Sequence, residues 1–184
     1  ARLVSAIFGI LSVFYFYKTA KKLFNQNAGY IAAFLLALNL LHIEYSQEAR
    51  TYAVFTFFVI LSVYRLTIFI NKITLKNAIW LGIATGLVAN AHSIGLLNIA
   101  VIYTTICFQF LIIKPRQEKF QFLKLSFVSG IITLLVFIPV YLTIIKVSQV
   151  NSFWVQAPNF YNIKQVFIDL SGKSNVFFYT NICL

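Results

Sequence analysis

The sequence predicts an all-α fold, a polytopic transmembrane helical bundle of about six spans, on three observations. Mean hydropathy is +0.85, with 60% hydrophobic and only 10% charged residues, far from an ordinary soluble domain. A chain this apolar cannot hide its surface in water and belongs in a bilayer. Uncharged runs approaching the roughly 20 residues of a membrane helix recur along it, and the connections between them are alternately rich and poor in lysine and arginine.

The first run, residues 3–17, lies between Arg2 and Lys18 and is short for a full span. Tyr15 and Tyr17 suit a membrane interface. Lys18, Lys21 and Lys22 begin a polar turn that closes near Asn27. A second span covers 28–43 and a third 51–70, with Arg65 near enough to its end to snorkel. Residues 71–77 form a basic loop. Residues 78–113 then run for 36 positions without a formal charge. One helix of that length would reach about 54 Å, well beyond a hydrocarbon core of about 30 Å. Two spans fit better, 78–91 and 93–113, turning near Asn90 to Ser93. Pro115 stops the preceding helix at a basic loop, and Pro139 bends a sixth span over 122–145. The longest polar segment, 146–174, carries Trp154 and Pro158 and is expected at the outer face. One transmembrane domain thus takes up residues 1–184.

The basic residues set the topology. Lys18, Lys21, Lys22, Arg65, Lys72, Lys76, Lys114, Arg116, Lys119 and Lys124 are ten of the fifteen, and all lie in or beside the first, third and fifth connections. The positive-inside rule places that set in the cytoplasm and turns the stretch around Glu48, the His92 turn and the Trp154 segment outward. The expected location is a plasma or inner membrane, multi-pass, with its active side outward. A net charge of +11 could suggest nucleic acid. Here the basic residues are scattered between apolar spans rather than gathered on one soluble face, so no nucleic-acid partner is expected. Cys107 lies mid-span and Cys183 is distant, which argues no disulfide or metal framework. The start at Ala1 without any methionine is read as a fragment.

One stretch stands out from this frame: His42-Ile43-Glu44-Tyr45-Ser46-Gln47-Glu48-Ala49-Arg50-Thr51-Tyr52, which holds two of the four acidic residues. Charges at the edge of membrane helices are expensive and often functional. If the stretch is helical, Glu44, Glu48, Thr51 and Tyr52 share one side, and His42, Ser46 and Arg50 line the neighbouring stripe. A carboxylate pair can bind a cation or position a hydroxyl, and a guanidinium suits a phosphate. The alternative is a solvated loop between two spans.

The run HIEYSQEARTY, preceded by NAGYIAAFLLALN and followed by a Phe/Leu-rich span, resembles the dolichyl-phosphate-mannose–protein mannosyltransferase-like glycosyltransferases, polytopic enzymes of the GT-C fold. A Gly-rich span leading to Asn90-Ala91-His92-Ser93, the Pro139 span and Ser152-Phe153-Trp154-Val155 follow in the family's order. The resemblance implies sugar transfer from a polyprenyl-phosphate-linked donor, within membrane lipid, to an unidentified acceptor. It puts Glu48 at the acidic position of the second outer loop, a supporting carboxylate. It matches His92 to a histidine near the outer end of the paired spans, with a substrate-binding role at a donor phosphate or metal-bound water. Beside it, side-chain chemistry makes Arg50 the best candidate for a phosphate contact and Trp154 a candidate for stacking on a sugar or acceptor. Each has a plainer reading as well: Arg50 and Trp154 as interface anchors, and His92 as the cap of a helix turn. Glu44 has no family counterpart and reads as solvated. The family's principal aspartate lies in an earlier outer loop that no residue here matches, so the fragment alone is expected to be inactive. No cofactor is required by these residues, although a divalent metal is compatible with them.

Two function classes stay open at this point. One is a membrane glycosyltransferase acting on the outer face. The other is half of a multi-spanning transporter or lipid flippase, which would place its charged site near the bilayer midplane and show a repeat.

Overall fold

Seven α-helices, and no strand among the described residues, make up the computed structural model of the chain, which describes residues 2–112 and 116–148. They are α1 (Arg2–Leu23), α2 (Gln26–Leu38), α3 (Leu40–Gln47), α4 (Tyr52–Asn71), α5 (Leu75–Ala91), α6 (Gly95–Ile112) and α7 (Arg116–Ser148). Trp154 and the whole of 149–174 lie outside the described residues. Among the described residues, four helical segments are long and apolar enough to cross a membrane: α1, α4, α6 and residues Glu118–Thr143 of α7.

The expectation of about six spans is therefore corrected to four, or five if α2 and α3 together count as one crossing. Two local causes account for the difference. The span expected over 28–43 breaks at Asn39, where α2 and α3 meet at 60°. Asn39 closes α2 with its backbone N–H on the Leu36 carbonyl and starts α3 by accepting the His42 N–H on its side chain, at 3.0 Å. Such local side-chain bonds compete with a continuing helix. α5 has 17 residues, about 25 Å of helix, shorter than the usual span although it still runs from the basic end of the bundle to the other. Elsewhere helices run longer than their apolar cores: α1 continues through Lys18–Lys22, and α7 already begins at Arg116 within the expected loop.

Side-chain contacts give the direction of each helix. α1 and α4 run parallel, because Ser5 meets Arg50 while Tyr15 meets Tyr64. α2 returns antiparallel to α1, with the Tyr17 and Tyr30 rings 5.2 Å apart. At the far end of α4, the Gln121 amide of α7 donates to the Ile73 carbonyl at 3.2 Å. Lys21, Lys22, Lys72, Lys76, Lys119 and Lys124 consequently share one end of the bundle, the basic end. The 39–51 region and the turn at His92–Ile94 share the other.

Helix contacts are built on small residues, as membrane helices require when neither lipid nor protein offers a hydrophobic advantage. On α1 the buried face is Ser5, Gly9, Ser12, Thr19 and Ala20. On α5 it includes Ala78, Gly82, Gly86 and Ala89, and here the backbones of α5 and α7 nearly touch. A Cβ on Gly82 would stand 2.6 Å from the Ser129 carbonyl oxygen, and one on Gly86 would stand 2.7 Å from Val136 Cβ. Thr133 Oγ1 donates to the Gly82 carbonyl at 3.1 Å, and the Tyr103 hydroxyl of α6 bonds both Thr133 and Ser129, at 2.7 and 3.1 Å. Asn90 donates its amide to the Val136 carbonyl, in the turn before Pro139, whose missing N–H disturbs the local ladder. Toward the basic end, Phe69 and Phe122 stack at 5.4 Å over Leu81 and Ile106 in the buried core. Asn98 of α6 accepts from the Ser62 hydroxyl of α4 at 3.1 Å and ties those two helices together.

Candidate active site

The end of the bundle opposite the lysines is shaped by how α3 lies on α1. Gly9 makes that approach possible: a Cβ there would overlap Ser46 Oγ and come within 2.9 Å of Ser46 Cβ. His42 completes the contact from one turn earlier, its Nε2 standing 3.3 Å from the Gly9 carbonyl, and Ser46 returns its hydroxyl to the His42 carbonyl at 2.6 Å. His42 and Ser46 thus share the α3 face that meets α1, and Glu44 and Gln47 are left exposed.

α3 ends at Gln47. Glu48 is its C-cap, with extended backbone (φ −81°, ψ 145°) and its N–H on the Glu44 carbonyl. The continuous helix entertained for residues 42–52 is therefore interrupted, and Glu48 and Thr51 do not share a helical face. The interruption has a chemical result. Residues two apart point away from each other on a helix, yet across this turn Arg50 Nε lies 3.5 Å from Glu48 Oε2. That oxygen is buried and has no hydrogen-bond partner, while the Glu48 side chain as a whole is 35% exposed and that of Arg50 67%. An ion pair this open to solvent contributes at most about 1 kcal/mol to stability, so the pairing is not explained by the fold's need for it. Arg50 is held by its backbone, whose carbonyl accepts the Ser5 hydroxyl.

Arg2, Glu44, Gln47, Glu48, Ala49 and Arg50 line a cavity of about 480 Å³. Two arginines and two glutamates therefore line one space. Sequence reasoning had left Arg2 as a boundary charge and Glu44 as solvated. The signal for Arg2 was its position three and seven residues before Ser5 and Gly9, on the small-residue stripe that α3 covers.

His92 reaches the same end from α5. It is that helix's C-cap, and its Nδ1 accepts the Ile94 N–H at 3.3 Å, which is the structural capping role. Its ring stacks on Tyr52 at 5.6 Å and touches Phe55 at 5.7 Å, and Tyr52 in turn packs on Tyr45 at 4.7 Å. The structure thus connects His92 to the Glu48 turn through two aromatic rings rather than placing it in the cavity wall. With Nδ1 accepting, a neutral ring carries its proton on Nε2. Trp154 lies outside the described residues.

Among the described residues no three of His, Cys, Asp and Glu converge as metal ligands. Glu48 directs its buried oxygen at Arg50, a cation already in place, so the cavity as built fits an anion better than a divalent metal. Arginine supplies a planar fork matched to phosphate oxygens, and a neighbouring carboxylate can accept a proton from, or orient, a hydroxyl.

A model of the dolichyl-phosphate-mannose-protein mannosyltransferase family matches residues 1–142, a range that takes in every residue of the cavity. No curated protein and no solved structure matches the chain.

Proposed function

The chain belongs to the dolichyl-phosphate-mannose-protein mannosyltransferase family and is a membrane glycosyltransferase; on that premise we propose that it moves a sugar from a polyprenyl-phosphate-linked donor to an acceptor on the outer face of the membrane. Family membership favours the enzyme over the transporter or flippase. The observation that carries the finer reading is the cavity of Arg2, Glu44, Glu48 and Arg50 at the end of the bundle away from the lysines. By the positive-inside rule, the lysine end is cytoplasmic and the cavity end is outward.

In this reading Arg50 and Arg2 hold the donor phosphate, and their charge is worth most as the sugar–phosphate bond breaks and negative charge gathers on the departing oxygen. Glu48 is the supporting carboxylate. It keeps the Arg50 fork oriented and directs its exposed side toward the acceptor hydroxyl. His92 stands outside the cavity wall and serves the site through Tyr52 and Tyr45, whose stacked rings back the Glu48 turn. Trp154 is assigned to sugar or acceptor stacking on sequence grounds alone. The lipid tail of the donor lies along the apolar helix faces.

Transfer of labelled sugar from a polyprenyl-phosphate donor by the intact enzyme tests this. Glu48→Gln, which keeps size and removes charge, is expected to lower turnover roughly a hundredfold, the usual effect of losing one preorganised electrostatic contact. Near-parental turnover at matched thermal stability would show that the turn is only solvated.

A further inference from the structure

Between α6 and α7 runs an apolar groove of about 820 Å³, whose lining residues are all different from those of the Arg50 cavity. Its lips, Phe108, Leu111, Phe127 and Leu134, are 63 to 72% exposed, and in a bilayer they face hydrocarbon. A volume of this size is in the range of built ligand pockets.

Three features distinguish it from a merely unpaired helix face. Ser126 lines the groove, is only 8% exposed, and carries a buried hydroxyl with no hydrogen-bond partner. The neighbouring Ser129 and Thr133 hydroxyls, by contrast, are both satisfied by Tyr103. Gly130 leaves depth beside it, since a Cβ there would meet nothing nearer than Tyr103 Cε1 at 3.8 Å. Lys119 lies at the basic end of the same stripe, seven residues before Ser126 and eleven before Gly130. Its ammonium stands 5.6 Å from the centroid of Phe110, which itself lines the groove. An apolar channel with one unmet hydroxyl inside and a cation at its mouth calls for a particular kind of molecule. It needs a long hydrocarbon, a hydrogen-bond acceptor a short way along, and an anionic head.

We propose that this groove binds one acyl chain of an anionic glycerophospholipid, its headgroup phosphate against Lys119 and its glycerol-ester carbonyl at Ser126. Lys119 and Ser126 are about 10 Å apart along the helix, a separation that the flexible lysine stem and a glycerol linkage bridge together. The donor lipid is a poorer occupant. Its prenyl chain has no hydrogen-bonding atom past the phosphate, so nothing on it answers Ser126, and Lys119 lies at the opposite end of the bundle from Arg50.

The test uses the purified protein in nanodiscs with a phosphatidylglycerol that carries a photoactivatable diazirine on one acyl chain, and maps the cross-linked peptides. Labelling is expected within residues 99–134, competed by unlabelled phosphatidylglycerol and not by phosphatidylcholine or polyprenyl phosphate. Lys119→Gln should weaken the competition about fivefold, the effect of one lysine at an anionic headgroup layer, and Ser126→Ala should weaken it as well. Gly130→Leu fills the groove from a position with room for a side chain and should abolish specific labelling without lowering the thermal midpoint. Equal competition by phosphatidylcholine would reduce the groove to ordinary lipid contact and overturn the proposal. Competition by polyprenyl phosphate alone would assign it to the donor. Absence of labelling between 99 and 134 would mean that protein, a second copy or another part of the chain, covers it, and would overturn the proposal too.

Discussion

Replacing Gly82 by alanine should destabilise the bundle, although alanine is the better helix former. The added Cβ would stand 2.6 Å from the Ser129 carbonyl oxygen and 2.8 Å from Ile132 Cβ, where ordinary contact begins at 3.4 Å. Because the first of these atoms is backbone, no rotamer change relieves it, and α5 and α7 must separate by about 0.8 Å. Overpacking of this kind costs about 1–3 kcal/mol. The separation also strains the Thr133 hydroxyl bond to the Gly82 carbonyl, and an interhelical bond in a membrane is worth about 0.6 kcal/mol. Helix propensity returns about 1 kcal/mol. The net expectation is a loss of about 0.6–2.6 kcal/mol, read from reversible unfolding in mixed micelles. Gly130→Ala is the matched control, since its Cβ would meet only Tyr103 at 3.8 Å, and it should be neutral or stabilising. If Gly82→Ala proves as stable as Gly130→Ala, the close α5–α7 contact is wrong.

Two further outcomes follow from the other contacts. Gly9→Val should lift α3 from α1, because a side chain there collides with Ser46. Displacing the Glu44–Arg50 region by about 1 Å is expected to cost on the order of a hundredfold in sugar transfer, with a smaller change in thermal midpoint than Gly82→Ala gives; unchanged transfer would show that α3 does not position the site. In a cysteine-free background, cysteines at Gln47 and Ser93 should react with an impermeant thiol reagent from outside intact cells, and cysteines at Lys72 and Lys119 should not. Outside labelling at position 72 would reverse the topology.

Much of the bundle was legible because hydropathy and charge act over whole segments. α4, an uninterrupted apolar run between polar neighbours, falls at Tyr52–Asn71. The length of 78–113 demanded a turn, and the turn at His92–Ile94 is closed by Gly95, whose Cβ would strike the Val88 carbonyl. The break at Asn39 was not legible, since one asparagine inside an apolar run gives no sign that it will cap two helices at once. The site suffered from the same cause. The helical alternative for 42–52 would separate Glu48 from Arg50, the loop alternative gave no geometry for them, and it is the end of α3 at Gln47 that lets them meet. Arg2 and Glu44 join them through the Gly9–Ser46 contact, which links positions far apart in the chain and leaves no local trace.

The most direct test of the proposed chemistry is a steady-state measurement on the intact enzyme with donor and acceptor varied separately. If the Arg2–Arg50 cavity receives the donor phosphate, Arg50→Lys keeps the charge and loses the fork. It should then raise KM for the polyprenyl-phosphate sugar about tenfold, as expected for loss of about 1.4 kcal/mol of binding, and leave the acceptor KM unchanged. A donor KM that stays at the parental value while the acceptor KM rises would put the acceptor, not the phosphate, against Arg50 and contradict the assignment.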